Sequence, residues 1–312
     1  MRVLKWVLAA LGVLGALVLG AGVYLYTAAP ERAVRVALEY ERRLAGLERR
    51  ELTLANGLTY VYLEGGRGAP LLLLHGFGGN KDNFTRVAKY LTPRFRVIVP
   101  DHIGFGESSK PPQADYAPPA QAERLRAFAR ALGVSKLHLG GNSMGGHIAL
   151  TYAALHPREV ESLWLLSAAG VWSAPPSEVL RRVSETGENP MLVQDEDDFA
   201  HLVSLLTAKP LMIPRPFLDV VAQERVRNYA LEARILKQLA ADSVEERIRG
   251  LAVPSLVVWG QQDRVLHPGT AGILQMLLIK SDVVMMQGVG HVPMIEAPER
   301  AALDYLQFRA KL

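Results

Sequence analysis

One serine stands in a sequence setting that is typical of a catalytic nucleophile. Ser143 is the centre of the motif Gly141-Asn-Ser-Met-Gly145, which follows an apolar segment and precedes a segment with helical periodicity. A G-x-S-x-G motif in that context forms a sharp strand-to-helix turn that exposes the serine hydroxyl. Side chains at positions 141 and 145 would collide with the neighbouring strand and helix, so both glycines are expected to be required.

His291 is the candidate for the base that a catalytic serine requires, since a serine hydroxyl is a poor nucleophile at neutral pH. In proteins with this turn the chain order is serine, acid, histidine. Of the eight histidines, His291 alone combines a late position with a loop, residues 287–293, between a predicted strand and the terminal helix. We therefore predict that His291 takes the proton of Ser143.

Asp263 is the candidate for the acid that orients this base. It lies three residues after Gly260, where the apolar segment 255–259 ends. This fold can also place the acid after the preceding strand, which is predicted over residues 162–166. That strand is followed by Ser167 and Ala168, so no carboxylate is available there. Asp101 precedes the serine and is expected to anchor its own loop by hydrogen bonds. The predicted catalytic triad is Ser143, Asp263 and His291.

Two backbone N–H groups are candidates for the oxyanion hole that such a reaction needs. The N–H of Met144 directly follows the nucleophile. The second donor should come from the loop after the predicted strand that ends at His75, where the sequence His-Gly-Phe-Gly-Gly is flexible, and we choose the N–H of Phe77. This loop lacks the Lys-Ser/Thr and the glycine spacing of phosphate-binding loops.

Short apolar segments alternate with helical segments from residue 51 onward, which predicts a parallel sheet with helices on both faces. Together with the serine motif, this indicates an α/β-hydrolase fold with an eight-stranded, mostly parallel sheet. The predicted strands are residues 58–63, 70–75, 95–100, 137–142, 162–166, 254–259 and 282–286. The predicted helices are residues 80–91, 121–132, 144–156, 270–278 and 297–310.

The stretch 170–250 breaks this alternation, since it contains helical segments and no convincing strand. We predict a helical cap over the strand ends, where open α/β sheets bind ligands, so that residues 51–169 and 251–312 form the catalytic core. The helical segments of the cap are residues 177–186, 199–207 and 218–237. Its conspicuous apolar residues are Leu205, Leu206, Leu211, Met212, Ile213 and Phe217. Packing inside the cap is the favoured interpretation, and lining an acyl pocket or touching lipid is the alternative.

Residues 6–28 carry no charge and lie between Lys5 and Glu31. As a helix this run would be about 35 Å long, enough to cross a hydrocarbon core of about 30 Å. We predict a single transmembrane anchor over residues 1–30, and a cleaved signal peptide is the alternative. Arg2 and Lys5 favour an N-terminus in the cytoplasm, with the rest of the chain on the far side of the membrane.

Residues 31–50 are predicted to form an amphipathic juxtamembrane helix. Its apolar residues near one face are Val34, Leu38, Leu44 and Leu47. It is interpreted either as a linker helix packed on the domain or as an interfacial helix whose arginines meet anionic headgroups. In the membrane span, Gly12, Ala16 and Gly20 form a stripe of small residues, which raises the hypothesis of a homodimer.

Composition narrows the remaining function classes. The 312 residues include 49% hydrophobic and 21% charged side chains, which is enough for one large core. The net charge of +4 is not gathered into a basic stripe, so no nucleic-acid partner is expected. Because the chain has no cysteine, it has neither disulfides nor thiolate metal sites, and neither a metal nor a cofactor is predicted.

With these residues assembled, the chain resembles the bacterial lipases of family V and the related membrane-anchored phospholipases A. Nearly the whole chain after the anchor takes part in the resemblance. The segments that carry it are residues 74–84 (LHGFGGNKDNF), 104–111 (GFGESSKP), 140–146 (GGNSMGG), 257–260 (VVWG) and 289–293 (VGHVP).

The resemblance implies hydrolysis of fatty-acid esters through an acyl-enzyme on Ser143, which water attacks with His291 as base, and it implies Phe77 and Met144 as oxyanion donors. The implied substrates are glycerophospholipids, lysophospholipids or acylglycerols of a lipid bilayer, with a free fatty acid as a bound product. It also implies homodimers through the transmembrane and juxtamembrane helices, in a bacterial inner membrane with the catalytic domain on the periplasmic side. Ser167 is a departure, since some relatives are expected to carry an aspartate there.

Two other enzyme types remain open as alternatives. Serine hydrolases that cleave carbon–carbon bonds of ring-fission products also carry G-N-S-M-G-G, but they are usually soluble and have a different loop near the oxyanion hole. An esterase of small esters would use the same residues. Haloalkane dehalogenases and many epoxide hydrolases have an aspartate as nucleophile, which Ser143 excludes. An inactive membrane scaffold is disfavoured by the complete triad.

Overall fold

The computed structural model describes residues 6, 11–13, 15, 20 and 22–312. Residues 7–10, 14, 16–19 and 21 of the predicted membrane span therefore lie outside the described residues, and Ala16 of the small-residue stripe is among them. Within the described part of the chain, residues 22–27 are helical, and no helix is both long and apolar enough to cross a membrane. The transmembrane anchor stays a prediction.

An eight-stranded sheet forms the centre of the molecule. Its strands are β1 (Leu47–Thr53), β2 (Thr59–Gly65), β3 (Ala69–Leu74), β4 (Phe95–Pro100), β5 (Leu137–Asn142), β6 (Val160–Leu166), β7 (Ser255–Gly260) and β8 (Ser281–Met286). They lie in the order β1-β2-β4-β3-β5-β6-β7-β8. β2 pairs antiparallel with β1 and β4, whereas the other neighbours are parallel. The predicted eight-stranded, mostly parallel sheet is confirmed.

Helices flank the sheet and cap one of its ends. They are α1 (Pro30–Leu44), α2 (Thr85–Ala88), α3 (Pro118–Ala131), α4 (Met144–Leu155), α5 (Glu178–Thr186), α6 (Glu196–Leu206), α7 (Arg215–Arg227), α8 (Tyr229–Ala240), α9 (Glu245–Ile248), α10 (Thr270–Leu277), α11 (Pro293–Glu296) and α12 (Pro298–Arg309). A 3₁₀ turn, Lys81–Phe84, precedes α2, so the single helix predicted over residues 80–91 is replaced by two short turns.

Both faces of the sheet are buried, as the side chains of β3 illustrate. Leu72 and Leu74 belong to one apolar layer, and Leu71 and Leu73 belong to the other, as the two-residue period of a strand requires. The first layer packs against α3, α4 and the cap, and the second packs against α2 and α12. Because both faces are covered, the strand ends are the places where the sheet can present functional side chains.

The juxtamembrane helix is shorter than predicted, since α1 ends at Leu44 and β1 begins at Leu47. Gly46 has φ +65°, a left-handed conformation that is common just after a helix. β1 is an edge strand that pairs with β2 and exposes most of its charged side chains. The prediction of one helix over residues 31–50 is wrong because Glu and Arg favour helices intrinsically, whereas pairing with a distant strand decides this segment.

α1 packs against the catalytic core and the cap. The guanidinium of Arg42 donates to both carboxylate oxygens of Asp82, at 2.6 and 2.7 Å. Val34 and Leu38, on the apolar face, are half-buried and face the same region as α7 of the cap. The face of α1 that carries Val34 and Leu38 is therefore packed on the domain, as the interpretation of a linker helix predicts.

The cap consists of the helices α5 to α9, and residues 167–250, all of which are described, contain no strand. Asp195 caps α6 by accepting a hydrogen bond from the N–H of Asp198 at 2.8 Å, a common role of aspartate at the start of a helix. The single helical segment predicted over residues 218–237 is wrong, because α7 and α8 are separate helices that meet at Asn228.

Candidate active site

Ser143 lies on the turn between β5 and α4 with φ 52° and ψ −119°, a backbone conformation that residues other than glycine rarely adopt. A Cβ atom on Gly141 would lie 2.3 Å from the carbonyl carbon of Gly145. A Cβ atom on Gly145 would lie 2.1 Å from the carbonyl oxygen of Leu74. Since neither approach is sterically allowed, the requirement for glycine at both positions is confirmed.

Hydrogen bonds to the end of β6 hold this strained backbone in place. The N–H of Ser143 donates to the carbonyl oxygens of Leu166 and Ser167 at 3.1 and 3.2 Å. The carbonyl oxygen of Ser143 accepts from the N–H of Ala169 at 3.0 Å. Ser167 has φ 46°, and its hydroxyl is buried without a hydrogen-bond partner among the described residues. At this position, where an aspartate is expected in some relatives, the chain thus has no carboxylate, and only the backbone of Ser167 contacts the serine turn.

His291 and Asp263 form a buried hydrogen-bonded pair. Nδ1 of His291 lies 2.8 Å from Oδ2 of Asp263, and Oδ1 of Asp263 accepts from the N–H groups of Val265 and Leu266 at 2.9 Å each. Because an ionised carboxylate can only accept, Nδ1 carries the proton and Nε2 presents its lone pair. Within the described residues Nε2 has no hydrogen-bond partner, so it can accept a proton from a hydroxyl.

Asn142, which sequence reasoning did not select, joins the serine turn to the loop of His291. Its side-chain amide donates to the carbonyl oxygen of Leu166 at 3.0 Å and to that of His291 at 2.9 Å. The signal for this role was its position, because Asn142 is a polar residue at the end of a wholly buried strand and directly precedes the nucleophile.

Glu296 fastens the same loop from the other side. Its carboxylate accepts from the N–H of Gly290 at 2.9 Å and from that of Ala208 at 2.7 Å. The N–H of His291 donates to the carbonyl oxygen of Leu206 at 2.8 Å. Burial raises the pKa of Glu296 in spite of these hydrogen bonds. Sequence reasoning missed Glu296 because its partners are backbone groups, which no motif marks.

The loop of residues 75–79 approaches the serine closely, since a Cβ on Gly76 would lie 3.2 Å from Cβ of Ser143. Nε2 of His75 accepts from the N–H of His102 at 3.0 Å, so Nδ1 carries the proton and donates to the carbonyl oxygen of Gly76 at 2.8 Å. Burial lowers the pKa of His75, which favours the neutral ring that this pair of bonds needs. The ring of His75 thereby fixes the start of the loop.

The two N–H groups predicted as oxyanion donors are available in this arrangement. Neither Phe77 nor Met144 uses its N–H in the turn and loop hydrogen bonds of the described residues. Met144 directly follows Ser143 in sequence, and Phe77 directly follows Gly76, which lies close to Ser143 in space.

Asp101 anchors its own loop, as predicted. Its carboxylate accepts from the N–H groups of Lys81 and Glu107 at 2.6 and 2.8 Å, and Nζ of Lys81 lies 3.0 Å away. Nζ of the buried Lys81 also donates to Glu107 at 2.7 Å. Burial alone would raise the pKa of Glu107, but hydrogen bonds from Arg49 and Lys81 lower it to about 2. The network joins the loop after β3 to the loop after β4.

A cavity of about 310 Å³ is lined by both Ser143 and His291. This volume is at the lower end of the range of about 300 to 1,000 Å³ that is usual for small-molecule sites. Apolar side chains from α1, α6 and α7 form much of its wall, among them Val34, Leu38, Phe199, Leu202, Leu218 and Val221. A hydrocarbon chain can therefore reach the serine through apolar surroundings.

The six apolar residues of the cap named in the sequence analysis lie in three different environments. Four of them line the cavity: Leu206, Leu211, Ile213 and Phe217. Leu205 is buried in the core, and Met212 is fully exposed. Packing inside the protein therefore describes Leu205, whereas the alternative of lining a pocket describes the four residues at the cavity, of which Leu206 also packs against the core.

The arrangement can activate Ser143 as a nucleophile. Transfer of the hydroxyl proton to Nε2 of His291, which has no hydrogen-bond partner among the described residues, would create an imidazolium that the carboxylate of Asp263 can stabilise across the 2.8 Å hydrogen bond. Among the described residues, no group of three or more His, Asp or Glu side chains is placed to hold a metal ion. The groups that the site does bring together are those of nucleophilic acyl transfer.

Residues 69–298 match the protein family described as the alpha/beta hydrolase fold. The chain belongs to the α/β-hydrolase family. The matched region begins with β3 and contains the whole cap together with Ser143, Asp263 and His291.

Similar proteins that are named as lipases or phospholipases indicate the type of reaction. Lipase 1 of Psychrobacter immobilis is 46% identical over 281 residues, which cover 88% of this chain and 88% of that lipase. Lipase 3 of Moraxella sp. (strain TA144) is 46% identical over 278 residues, which cover 87% of this chain and 88% of that lipase. The crystal structure of a membrane phospholipase A, a bacterial virulence factor, matches with a TM-score of 0.88 and 40% identity and covers 97% of both chains. This α/β hydrolase is a carboxylic ester hydrolase, and the resemblance found in the sequence is confirmed.

Asp263→Asn is expected to lower kcat by a factor on the order of 10³ to 10⁴, because an amide favours the wrong tautomer of His291. Steady-state hydrolysis of nitrophenyl butyrate measures the change. Asp197→Asn, at an exposed carboxylate of the cap, is the control and should leave kcat within about twofold. Near-normal turnover by the Asp263 variant would show that another residue is the acid.

Proposed function

We propose that this hydrolase releases fatty acids from glycerophospholipids, lysophospholipids or acylglycerols through an acyl-enzyme on Ser143. The observation that carries the proposal is the apolar cavity, which extends from α1 and the cap to Ser143 and His291. An acyl chain in such a cavity gains free energy from burial of its methylene groups, about 0.8 kcal/mol for each. A small polar ester would leave most of the same wall unfilled.

In the first half-reaction, Oγ of Ser143 attacks the ester carbonyl carbon while Nε2 of His291 takes its proton. Asp263 holds the ring through Nδ1 and stabilises the imidazolium. The carbonyl oxygen becomes an oxyanion that accepts from the N–H groups of Phe77 and Met144. Removal of one such donor costs roughly 2.7 to 4 kcal/mol in comparable enzymes, so their placement matters as much as that of the triad.

The first half-reaction ends when the ester C–O bond breaks and the imidazolium of His291 gives its proton to the leaving alcohol, so that the acyl group stays on Ser143. The second half-reaction is deacylation. A water molecule then attacks the acyl-enzyme with His291 as base, which releases the fatty acid and restores the serine. The free fatty acid is expected to stay bound for a time, because its chain already fills the apolar cavity.

We further propose that residues 1–30 anchor the enzyme in a bacterial inner membrane, with the N-terminus in the cytoplasm and the catalytic domain on the periplasmic side. The charge-free run 6–28 supports the anchor, and Arg2 and Lys5 support the orientation. The fully exposed Met212, beside the cavity-lining residues Leu211 and Ile213, supports contact of the cap with lipid.

A homodimer through the transmembrane and juxtamembrane helices is part of the same proposal. The small-residue stripe of the span supports close approach of two such helices. On α1, Val36, Tyr40 and Leu44 follow each other at four-residue spacing and are 60 to 63% exposed. This apolar row lies on one face of the helix and is available to a second copy or to the bilayer interface.

Ser143→Ala is expected to abolish turnover of nitrophenyl and phospholipid esters while the melting temperature stays within a few degrees, since the change removes only the attacking oxygen. Hydrolysis assays and labelling with a fluorophosphonate probe measure it, and the probe should label Ser143 of the wild type alone. A wild type that hydrolyses nitrophenyl acetate with a higher kcat/KM than nitrophenyl decanoate would contradict a lipid substrate and favour an esterase of small esters.

Leu38→Trp is expected to shorten the acyl chains that the enzyme accepts, because the larger side chain fills part of the cavity wall contributed by α1. The kcat/KM for nitrophenyl palmitate should fall about tenfold, whereas that for the butyrate ester should stay within about twofold. Val36→Trp, on the exposed face of the same helix, is the matched control. Equal losses for both esters would mean that Leu38 does not limit chain length.

Deletion of residues 1–28 is expected to release the enzyme from membranes, because it removes the whole apolar run and leaves α1 intact. Cell fractionation followed by a nitrophenyl butyrate assay of each fraction measures the effect. The full-length chain should stay with the membrane after a high-salt wash. A shortened chain that remains in the membrane fraction would contradict the proposal that this run alone is the anchor.

A further inference from the structure

Arg225 is a charged residue of the cap that is almost completely buried. It lies in the last turns of α7 and is 5% exposed. Arginine is rarely buried to this extent unless its guanidinium is paired. Neither the triad nor the acyl-binding wall accounts for a cation at this place.

Two cap groups fix the position of the guanidinium. Nε of Arg225 donates to Oε2 of Glu232 on α8 at 2.7 Å, and one terminal nitrogen donates to the carbonyl oxygen of Met191 at 2.8 Å. Burial raises the pKa of Glu232, and the positive charge of Arg225 acts against that shift. The ion pair and the second hydrogen bond leave the guanidinium plane little freedom to turn.

The guanidinium rests on the loop that carries one predicted oxyanion donor. Cζ of Arg225 lies 5.4 Å from the centroid of the Phe77 ring, a distance typical of a cation–π contact. A Cβ on Gly78 would lie 2.1 Å from Cζ, so the guanidinium occupies the space where any side chain at this position would be. Gly78 also has φ +66°, which favours glycine independently.

The other side of this loop faces the nucleophile. Gly76 comes within van der Waals contact of Ser143, since a Cβ on Gly76 would lie 3.2 Å from Cβ of the serine. The ring of Phe77 is held by Phe105, with ring centroids 5.7 Å apart. The peptide of Phe77 is therefore enclosed by the serine turn on one side and by the cap cation on the other.

We propose that Arg225 is a positioning residue, which holds the N–H of Phe77 in place for the oxyanion and makes the oxyanion hole depend on the cap being seated. The inference rests on the proposed function, because it assigns Phe77 a donor role. A displacement of about 1 Å in a catalytic group can cost about 10²-fold in rate, so loss of the contact between Arg225 and the loop of Phe77 would lower turnover even where Ser143, Asp263 and His291 keep their places.

A different role for the same cation would be to bind the phosphate of a phospholipid headgroup, since Arg225 also lines the cavity. The two roles predict different kinetics. A phosphate-binding residue affects KM, and it affects phospholipids only. A residue that positions an oxyanion donor affects kcat, and it affects every ester, including those without a phosphate.

Arg225→Met is expected to lower kcat for nitrophenyl butyrate about 10- to 100-fold, with KM changed by less than about threefold. The rate of fluorophosphonate labelling of Ser143 should fall by a similar factor, because that reaction passes through an oxyanion at the same donors. Arg225→Lys keeps a positive charge beside Glu232 but has no planar group to pack on Gly78. Its kcat and labelling rate should therefore lie between those of the Arg225→Met variant and those of the wild type.

Arg215→Met is the matched control, because Arg215 is on the same helix and makes exposed ion pairs with Asp197 and Asp219. Its kcat and labelling rate should equal those of the wild type. Melting temperatures of all variants separate loss of fold from loss of rate. If the Met variant does not fold, the Lys variant decides the question by the same two rates.

Wild-type kcat and labelling rates in the folded Met or Lys variant would overturn the inference. A loss confined to KM for phospholipids would overturn it in favour of headgroup binding, and an equal loss in Arg215→Met would overturn it in favour of a general effect of cap stability. A wild-type chain that is not labelled at Ser143 would contradict the proposed function, and the inference with it. Labelling of the wild type and variant at equal rates contradicts the inference alone.

Discussion

The positive φ of Ser143 is the constraint on which the rest of the site depends. Such a conformation costs on the order of 1 to 3 kcal/mol and persists only where the surroundings over-determine it. Here the end of β6 accepts the N–H of Ser143, and the glycines at positions 141 and 145 allow strand and helix to approach within contact. Asn142 joins the loop of His291 to the same strand end by hydrogen bonds. The positions of Ser143 and His291 are therefore both fixed relative to the end of β6.

Three loops and the cap surround this turn, and each is held by polar groups that are buried or partly buried. Glu296 joins the histidine loop to the cap, Asp101 and Lys81 join the loops after β3 and β4, and Arg225 joins the cap to the loop of Phe77. Removal of one partner from such a pair leaves the other unsatisfied, which is costly in a medium of low dielectric constant. The site therefore combines loops held by polar contacts around Ser143 with a cavity whose wall is largely apolar.

The parts that the sequence predicts well are those encoded by neighbouring residues. The turn at Ser143, the strand ends at Asp263 and His291 and the apolar strands all depend on local pattern. β1 was missed because its Glu and Arg residues favour a helix until β2 pairs with them. Asn142 and Arg225 were missed because their roles depend on partners far away in the chain, and no spacing rule reports such contacts.

The place of α1 in the chain has a consequence for how this enzyme can diverge. Val34 and Leu38 line the cavity that reaches Ser143, yet they precede the first strand and belong to neither buried layer of the sheet. Substitutions at these positions change the shape of the cavity without creating voids in the folded core. In α1, unlike at the cavity-lining core residues Phe199 and Leu202, the shape of the cavity can therefore change in evolution while the packing of the core is preserved.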